Sequence, residues 1–146
     1  MRGQGSAARP HKPAPWASDV QGIVRSARLP KRGPGAFSRL CLSDDGALEA
    51  VLIGAARAER DQFDFAIVAL ARDLRALRSG IGDEMLADFD QYCRVHAGSR
   101  TVLELAAAVH VENSPAKAMF ARNGWAEGDA LAGDARYRRW GKDLEV

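Results

Sequence analysis

The sequence predicts an α+β (mixed α/β) domain: an antiparallel meander of strands leading into two parallel strands joined by a long helix. Three observations predict it. Residues 36–71 hold three strand-like segments, the first two joined by an Asp45-Gly46 turn. Residues 80–96 repeat apolar side chains at helical spacing. Residues 101–111 then alternate as a strand does, so the segments flanking the helix run parallel through a right-handed crossover.

The elements follow in order. Ala36–Leu42 is the first strand, and Ser43-Asp44-Asp45-Gly46 is a hairpin turn, with glycine where a positive φ is needed. Ala47–Ala56 is the second strand, and the charged stretch Arg57–Gln62 turns the chain again. Phe63–Ala71 is a nearly continuous apolar run, suited to a strand covered on both faces. Gly80–His96 is the helix: Ile81, Met85, Leu86, Phe89, Tyr92 and Cys93 fall on one side, and Gly98 supplies a left-handed stop.

Thr101–Val111 contains Leu-Glu-Leu-Ala-Ala-Ala, which has high helix propensity. Leu103, Leu105, Ala107, Val109 and Val111 nevertheless alternate, and the β-branched ends favour a strand. Ser114 then caps a second helix with Pro115 at its first position. Ala116, Met119 and Phe120 form its inner stripe, and Gly124 ends it. Residues 126–134 read as a polar loop, and Arg136–Leu144 as a last strand whose Tyr137 and Trp140 pack on the sheet.

The 146 residues suffice for one core. Residues 1–15 read as a disordered basic tail, because Gly, Pro, Ser and basic residues occur there without periodicity. Residues 16–146 read as a single domain. Its N-terminal part is short: one helix over 17–28, with Ser18 as cap and Val20, Ile23, Val24 and Ala27 on one face, then a Pro- and Gly-rich loop, Leu29–Gly35. No apolar run approaches the ~18 residues of a membrane span. The basic N-terminus is not followed by the apolar stretch of a secretory signal, so cytoplasm is the expected location.

Cys41 and Cys93 form no C-x-x-C pair and have no histidine at ligand spacing, so no metal site is expected. Charge is uneven. Residues 1–40 carry eight Lys/Arg against Asp19 alone, a local +7, and the rest of the chain sums to −5. A basic arm can attract polyanions, but no aromatic residues interleave with it as in single-strand binders, and nucleic acid is not the expected partner.

Two motifs carry chemistry. The first is the apolar strand followed by a loop and Gly80-Ile81-Gly82 at a helix start. Glycines there allow close backbone approach, and the unpaired N–H groups attract phosphate oxygens, with Arg75 and Arg78 nearby. The second is Val109-His110-Val111-Glu112-Asn113-Ser114-Pro115-Ala116, then Met119-Phe120 and Asn123-Gly124-Trp125. Together, in this order and spacing, they resemble the GNAT family of N-acetyltransferases. That family pairs an (Arg/Gln)-x-x-Gly-x-Gly/Ala loop before a long helix with a later strand, Asn-x-x-Ala, an aromatic residue and Gly-Phe or Gly-Trp. The likeness is clear over residues 63–125, loose over 36–146 and absent from 1–35.

The resemblance implies that the two parallel strands splay and that acetyl-CoA enters the wedge between them. Backbone groups of Val68, Ala69 and Leu70 would hold its pantetheine arm. The loop Arg75, Arg78, Ser79, Gly80, Ile81 and Gly82 would seat the diphosphate. Asn113, Ala116 and Phe120 would touch the arm from the second helix. The acceptor amine would attack the thioester directly. Candidates for its proton acceptor are Asp64, Glu104 and His110, with Glu49 also considered; Asp64 starts the central strand, and Glu104 and His110 share one face of the later one.

The chain departs from the family pattern. Leu77 stands where the loop arginine or glutamine is usual, so either Arg75 or Arg78 takes that role. Phe120 stands where a tyrosine often protonates the leaving thiolate. Asp83 and Glu84 open the long helix and are expected to point away from a diphosphate. The abbreviated N-terminus leaves the acceptor wall short or supplied by another chain, as in a homodimer. A non-catalytic acyl-CoA-binding or interaction domain is the alternative to an enzyme.

Overall fold

Among the described residues, six strands form one mixed sheet in the order β1-β2-β3-β4-β6-β5. They are β1 (Ala36–Leu42), β2 (Leu48–Ala56), β3 (Phe65–Arg72), β4 (Val102–His110), β5 (Ala126–Leu131) and β6 (Asp134–Glu145), with α1 (Ile81–Val95) between β3 and β4 and α2 (Ser114–Arg122) after β4. The computed structural model describes Ala17, Asp19 and residues 35–56, 63–76 and 78–146. The tail expected at 1–15, most of the helix expected over 17–28, most of the following loop and the turn at 57–62 lie outside the described residues. Among the described residues no helix is long and apolar enough to cross a membrane.

The meander forms as its local chemistry dictates. Gly46 takes φ 85° in the hairpin, Ser43 and Ala47 close it by a 2.8 Å backbone bond, and the Ser43 hydroxyl bonds the Asp45 carboxylate. β1 and β2, and β2 and β3, pair antiparallel. Among the described strands, only β3 and β4 are parallel, joined through α1.

The main core lies on the face covered by α1 and α2. Leu52, Phe65, Ile67, Leu103, Leu105 and Val109 meet Ile81, Leu86, Phe89 and Cys93 there. Phe89 is 0% exposed, and its ring lies near Phe37 (6.2 Å) and Trp125 (6.4 Å). Phe37 stacks on Tyr92 at 4.1 Å and fills the space over Gly54, where a Cβ would come within 2.2 Å of its ring. That close approach accounts for a glycine inside a strand. Val51, Ile53 and Ala69 are buried on the opposite face.

Two expectations are corrected. Asn113, not Ser114, caps α2: its side-chain oxygen accepts the Ala116 N–H at 3.2 Å, so Ser114 and Pro115 are the first two helical residues. Asparagine is as good a cap as serine, and Pro is tolerated throughout the first turn because its missing N–H has no helical acceptor there. Residues 126–131 are a strand, not a loop. Ala-Glu-Gly-Asp-Ala-Leu shows no apolar alternation because the strand is exposed at the sheet edge and is held by backbone pairing to β6. Two register irregularities in that pair also suit an edge.

Candidate functional site: a slot through the sheet

β3 and β4 pair only over Phe65↔Leu105, Ala66↔Ala106 and Ile67↔Ala107. Beyond that point each strand stays paired to its outer neighbour, β3 to β2 and β4 to β6, while their facing edges separate. The gap is a cleft of about 640 Å³. Its wall includes successive β4 residues Ala107, Ala108, Val109 and His110. Successive strand residues face opposite sides of a sheet, so the cleft is open to both. Ala116, Met119 and Phe120 line it from the helix side, Tyr137 lies on the face of His110, and Asp134, Arg136 and Asp19 complete the lining.

The slot gathers all six residues expected to hold or touch the arm of a cofactor. Val68, Ala69, Leu70, Asn113, Ala116 and Phe120 all line it. Val68 is 48% exposed, which fits a strand whose edge has lost its neighbour. Asn113 spends its oxygen on the α2 cap. Phe120 is a core residue as well, edge-on to Trp125 at 5.1 Å.

The glycine loop sits beyond the slot wall. Gly80 precedes α1 with φ 80°. Ile81 is fully buried, so only its backbone could serve a ligand. Gly82 abuts α2: a Cβ there would lie 2.3 Å from the Met119 sulfur. A side chain at this position would require Met119, a flexible residue, to shift. The first-turn N–H groups of α1 have no acceptor within the helix.

The charges around that loop are paired. Arg78 bonds Glu49 at 2.6 Å and also Glu84, and Arg75 takes Asp73 at 2.9 Å. Asp83 points to α2, where Arg122 holds it with two 2.9 Å bonds and Asn123 donates at 2.7 Å. Asp83 therefore turns away from the loop as expected. Glu84 does not, because Arg78 is within its reach.

The three candidate proton acceptors separate. Asp64 is buried, accepts the Glu104 N–H at 2.8 Å and pairs with Arg100. Asp64 N–H in turn bonds the Glu104 carbonyl at 2.7 Å. Both residues therefore lie at the zipped end of the β3–β4 pair. Glu104 stands six residues before His110, about 20 Å along the strand. Of the three, His110 alone lines the slot. It is buried, its ring meets Tyr137 edge-on at 5.1 Å, and its Nδ1 accepts the Glu112 N–H at 3.2 Å.

The sequence pointed to sheet packing for Tyr137 ahead of lining the groove and gave no sign of Asp19, Asp134 or Arg136. Tyr137 pairs directly opposite His110 across β4 and β6, and its hydroxyl donates to Asp19. Arg136 grips Asp134 with bonds of 2.9 and 2.7 Å, holding that carboxyl down to about 2. The only signal in the sequence was the shared alternation of His110 and Tyr137, which means nothing until the register is known. Burial, followed by the bond to Asp19, pushes the Tyr137 phenol up to about 12. The neutral phenol is the form favoured by folding. Its contribution is complete below the ordinary tyrosine value of ~10 and is lost as pH rises through about 12. Phenolate absorbance of wild type minus Tyr137→Phe should therefore show a step near pH 12; a step near pH 10 would mean that this wall is open to water.

No group of His, Cys, Asp and Glu among the described residues could hold a metal ion. Cys93 is buried, its thiol pushed up to about 12 by burial, and neither cysteine is in a disulfide.

No family model matches the chain, and no curated protein is similar to it in sequence. Solved structures are similar in fold. A chain from Klebsiella pneumoniae subsp. pneumoniae MGH 78578, assigned by inference as an acyl-CoA N-acyltransferase, superposes with TM-score 0.67 at 16% identity, covering 87% of this chain and 86% of that one. An acetyltransferase of the GNAT family from Staphylococcus aureus Mu50 gives 0.59 at 13% identity, over 77% and 70%. The NatB acetyltransferase complex bound to CoA gives 0.58 at 12% identity, over 72% and 71%.

Proposed function

We propose, from the premise that this chain has the fold of the GNAT acetyltransferases, that it is an acyl-CoA-dependent N-acyltransferase moving an acetyl group from acetyl-CoA to a primary amine. One observation carries the reading: β3 and β4 part after Ile67↔Ala107 and leave a slot reached from both faces of the sheet. The unpaired edge of β3 at Val68–Leu70 is suited to take an extended pantetheine arm as an added strand. Ala116, Met119 and Phe120 would flank that arm, and the backbone N–H groups after Gly80 would face the diphosphate. The amine would arrive from the other face, past Tyr137 and Asp19, and meet the thioester inside the gap. Orientation of two reactants in one slot is itself a large part of the rate. Cofactor chemistry is limited to a thioester with a good thiolate leaving group, so Phe120 need not supply an acid.

The test has two stages. Acetyl-CoA at roughly 100 times its Kd should stabilise the protein by about 2.7 kcal/mol, seen as a rise in Tm. Thiol release against a panel of amines should then identify acceptors. No thermal shift with acetyl-CoA, CoA or longer acyl-CoA would end this reading. Phe120 in place of a hydroxyl-bearing residue favours a second reading, an acyl-CoA-binding domain without turnover. A shift with no thiol release from any amine would select it.

A further inference from the structure

Among the described residues the sheet has two outer strands, β1 and β5, and their chemistry differs. An outer strand presents backbone N–H and C=O groups that pair with another strand unless charge, proline or a bulge blunts the edge. β5 is blunted: Glu127 and Asp129 are exposed on it, and its register to β6 is irregular. β1 has no proline and a single charge, Arg39, and its ladder to β2 is regular from Ala36 to Cys41. Asp88 of α1 holds the Arg39 guanidinium with two 2.7 Å bonds. Phe37 also faces α1, so alternation turns Ser38, Leu40 and Leu42 to the other face of the sheet, where Leu48 stands opposite Leu42. Leu40, Leu42 and Leu48 are 54, 56 and 49% exposed.

We propose that β1 is a dimer interface, pairing antiparallel with β1 of a second copy of this chain about a twofold axis at Leu40. The direction of the backbone groups fits. The Gly35 carbonyl accepts the Ala56 N–H of β2. Residues 37, 39 and 41 therefore also turn their backbone groups inward, and Ala36, Ser38, Leu40 and Leu42 turn theirs to the open edge. With the axis at Leu40, that residue pairs with its own copy and Ser38 pairs with Leu42, all of them outward-facing positions. The leucines of both copies then form one apolar band across the axis. An axis at Arg39 would also pair outward-facing groups, but it would set the two Arg39 side chains opposite each other, and like charges directly opposite are destabilising.

Charge identifies the occupant as a second copy. With Arg39 neutralised by Asp88, the edge has no free charge to draw a charged strand, and it matches a neutral strand of its own pattern. The chain leaves β1 through Asp44 and Asp45, both exposed, whereas the sequence leading into β1 is basic, with Arg25, Arg28, Lys31 and Arg32 and no acid over residues 25–34. Antiparallel self-pairing sets the acidic exit of each copy toward the basic entry of the other, twice, as a contact using one surface on both subunits requires. Self-pairing of β5 would instead bring Glu127 and Asp129 of both copies together. An edge of seven residues is at the small end of specific interfaces, so the dissociation constant should be micromolar. β2 and β3 separate this edge from the slot, so the pairing does not depend on acyl-CoA.

The deciding measurements use the full chain. Sedimentation velocity should show wild type passing from monomer to dimer over the micromolar range. Leu40→Lys puts two like charges on the axis and should stay monomeric, with its far-UV circular dichroism unchanged. Cross-linking reads the register: under mild oxidation Arg39→Cys should form a disulfide with the native Cys41 of the second copy, the Cα atoms of that pair standing about 4.5 Å apart. Arg39→Cys/Cys41→Ser should not cross-link. Asp44→Lys/Asp45→Lys should weaken the dimer several-fold at low salt. A wild-type chain that is monomeric at roughly 100 µM would overturn the proposal and leave the edge to the chain's own residues or to another protein. A dimer that survives Leu40→Lys, or one that Arg39→Cys/Cys41→Ser cross-links, would overturn it as well.

Discussion

Ala116→Trp should abolish the acetyl-CoA thermal shift, whereas Ala108→Trp should leave that shift in place and remove thiol release. The contrast follows from the slot being open to both faces of the sheet. Ala116 is in the first turn of α2 and half-buried against the helix side of the gap. An indole there would occupy the space left for the pantetheine arm. Ala108 is an exposed β4 residue on the same face as His110. An indole at that position would stand in the path of the amine, beyond the thioester. Losing about 2.7 kcal/mol of ligand stabilisation at saturating acetyl-CoA is a large signal, and thiol release is measured on the same samples. If both variants lose the thermal shift equally, the cofactor and acceptor sides have been misassigned. If neither does, the slot is not where acyl-CoA binds.

The second large effect is on stability. Phe89→Ala should cost about 3–5 kcal/mol, the range for a fully buried aromatic that leaves a cavity. For a chain of this size that lowers Tm by roughly 10–20 °C. Phe89 is 0% exposed and lies between Phe37 and Trp125, so it joins the meander to the chain after α2. Thermal unfolding with and without acetyl-CoA checks the size of the loss. A fall below about 1 kcal/mol would mean that the cavity collapses, and that this aromatic cluster is not the centre of the core.

Much of the architecture was legible because periodicity changes where the elements change. The ends of β1, the α1 stripe through Cys93 and the alternation of Leu103 to Val109 each carried their own signal. β4 was the hardest of these, since Leu-Glu-Leu-Ala-Ala-Ala favours a helix locally, and pairing to β6 over nine residues overrides that preference. β5 carried no signal, because an exposed edge strand needs no apolar face. The part of the slot lined by Val68–Leu70 and by Asn113, Ala116 and Phe120 was legible because its parts are contiguous motifs. The wall formed by Asp19 and Tyr137 was not. Asp19 and Tyr137 are separated by 118 positions and meet only through the fold. Asp64 and Glu104 looked like candidates because acidic residues on strands attract attention. Their value to the protein is to close the far end of the β3–β4 pair.

That short seam makes the sheet two three-stranded ribbons, β1–β3 and β4–β6, stitched over three residues. Behind the stitch, α1 is tied to the end of α2 by Asp83 to Arg122 and Asn123, and to β6 of the second ribbon by Asp90 to Lys142 at 2.6 Å. The three-residue seam is the narrowest link between the two ribbons, and these bonds bridge it a second time from the helix side.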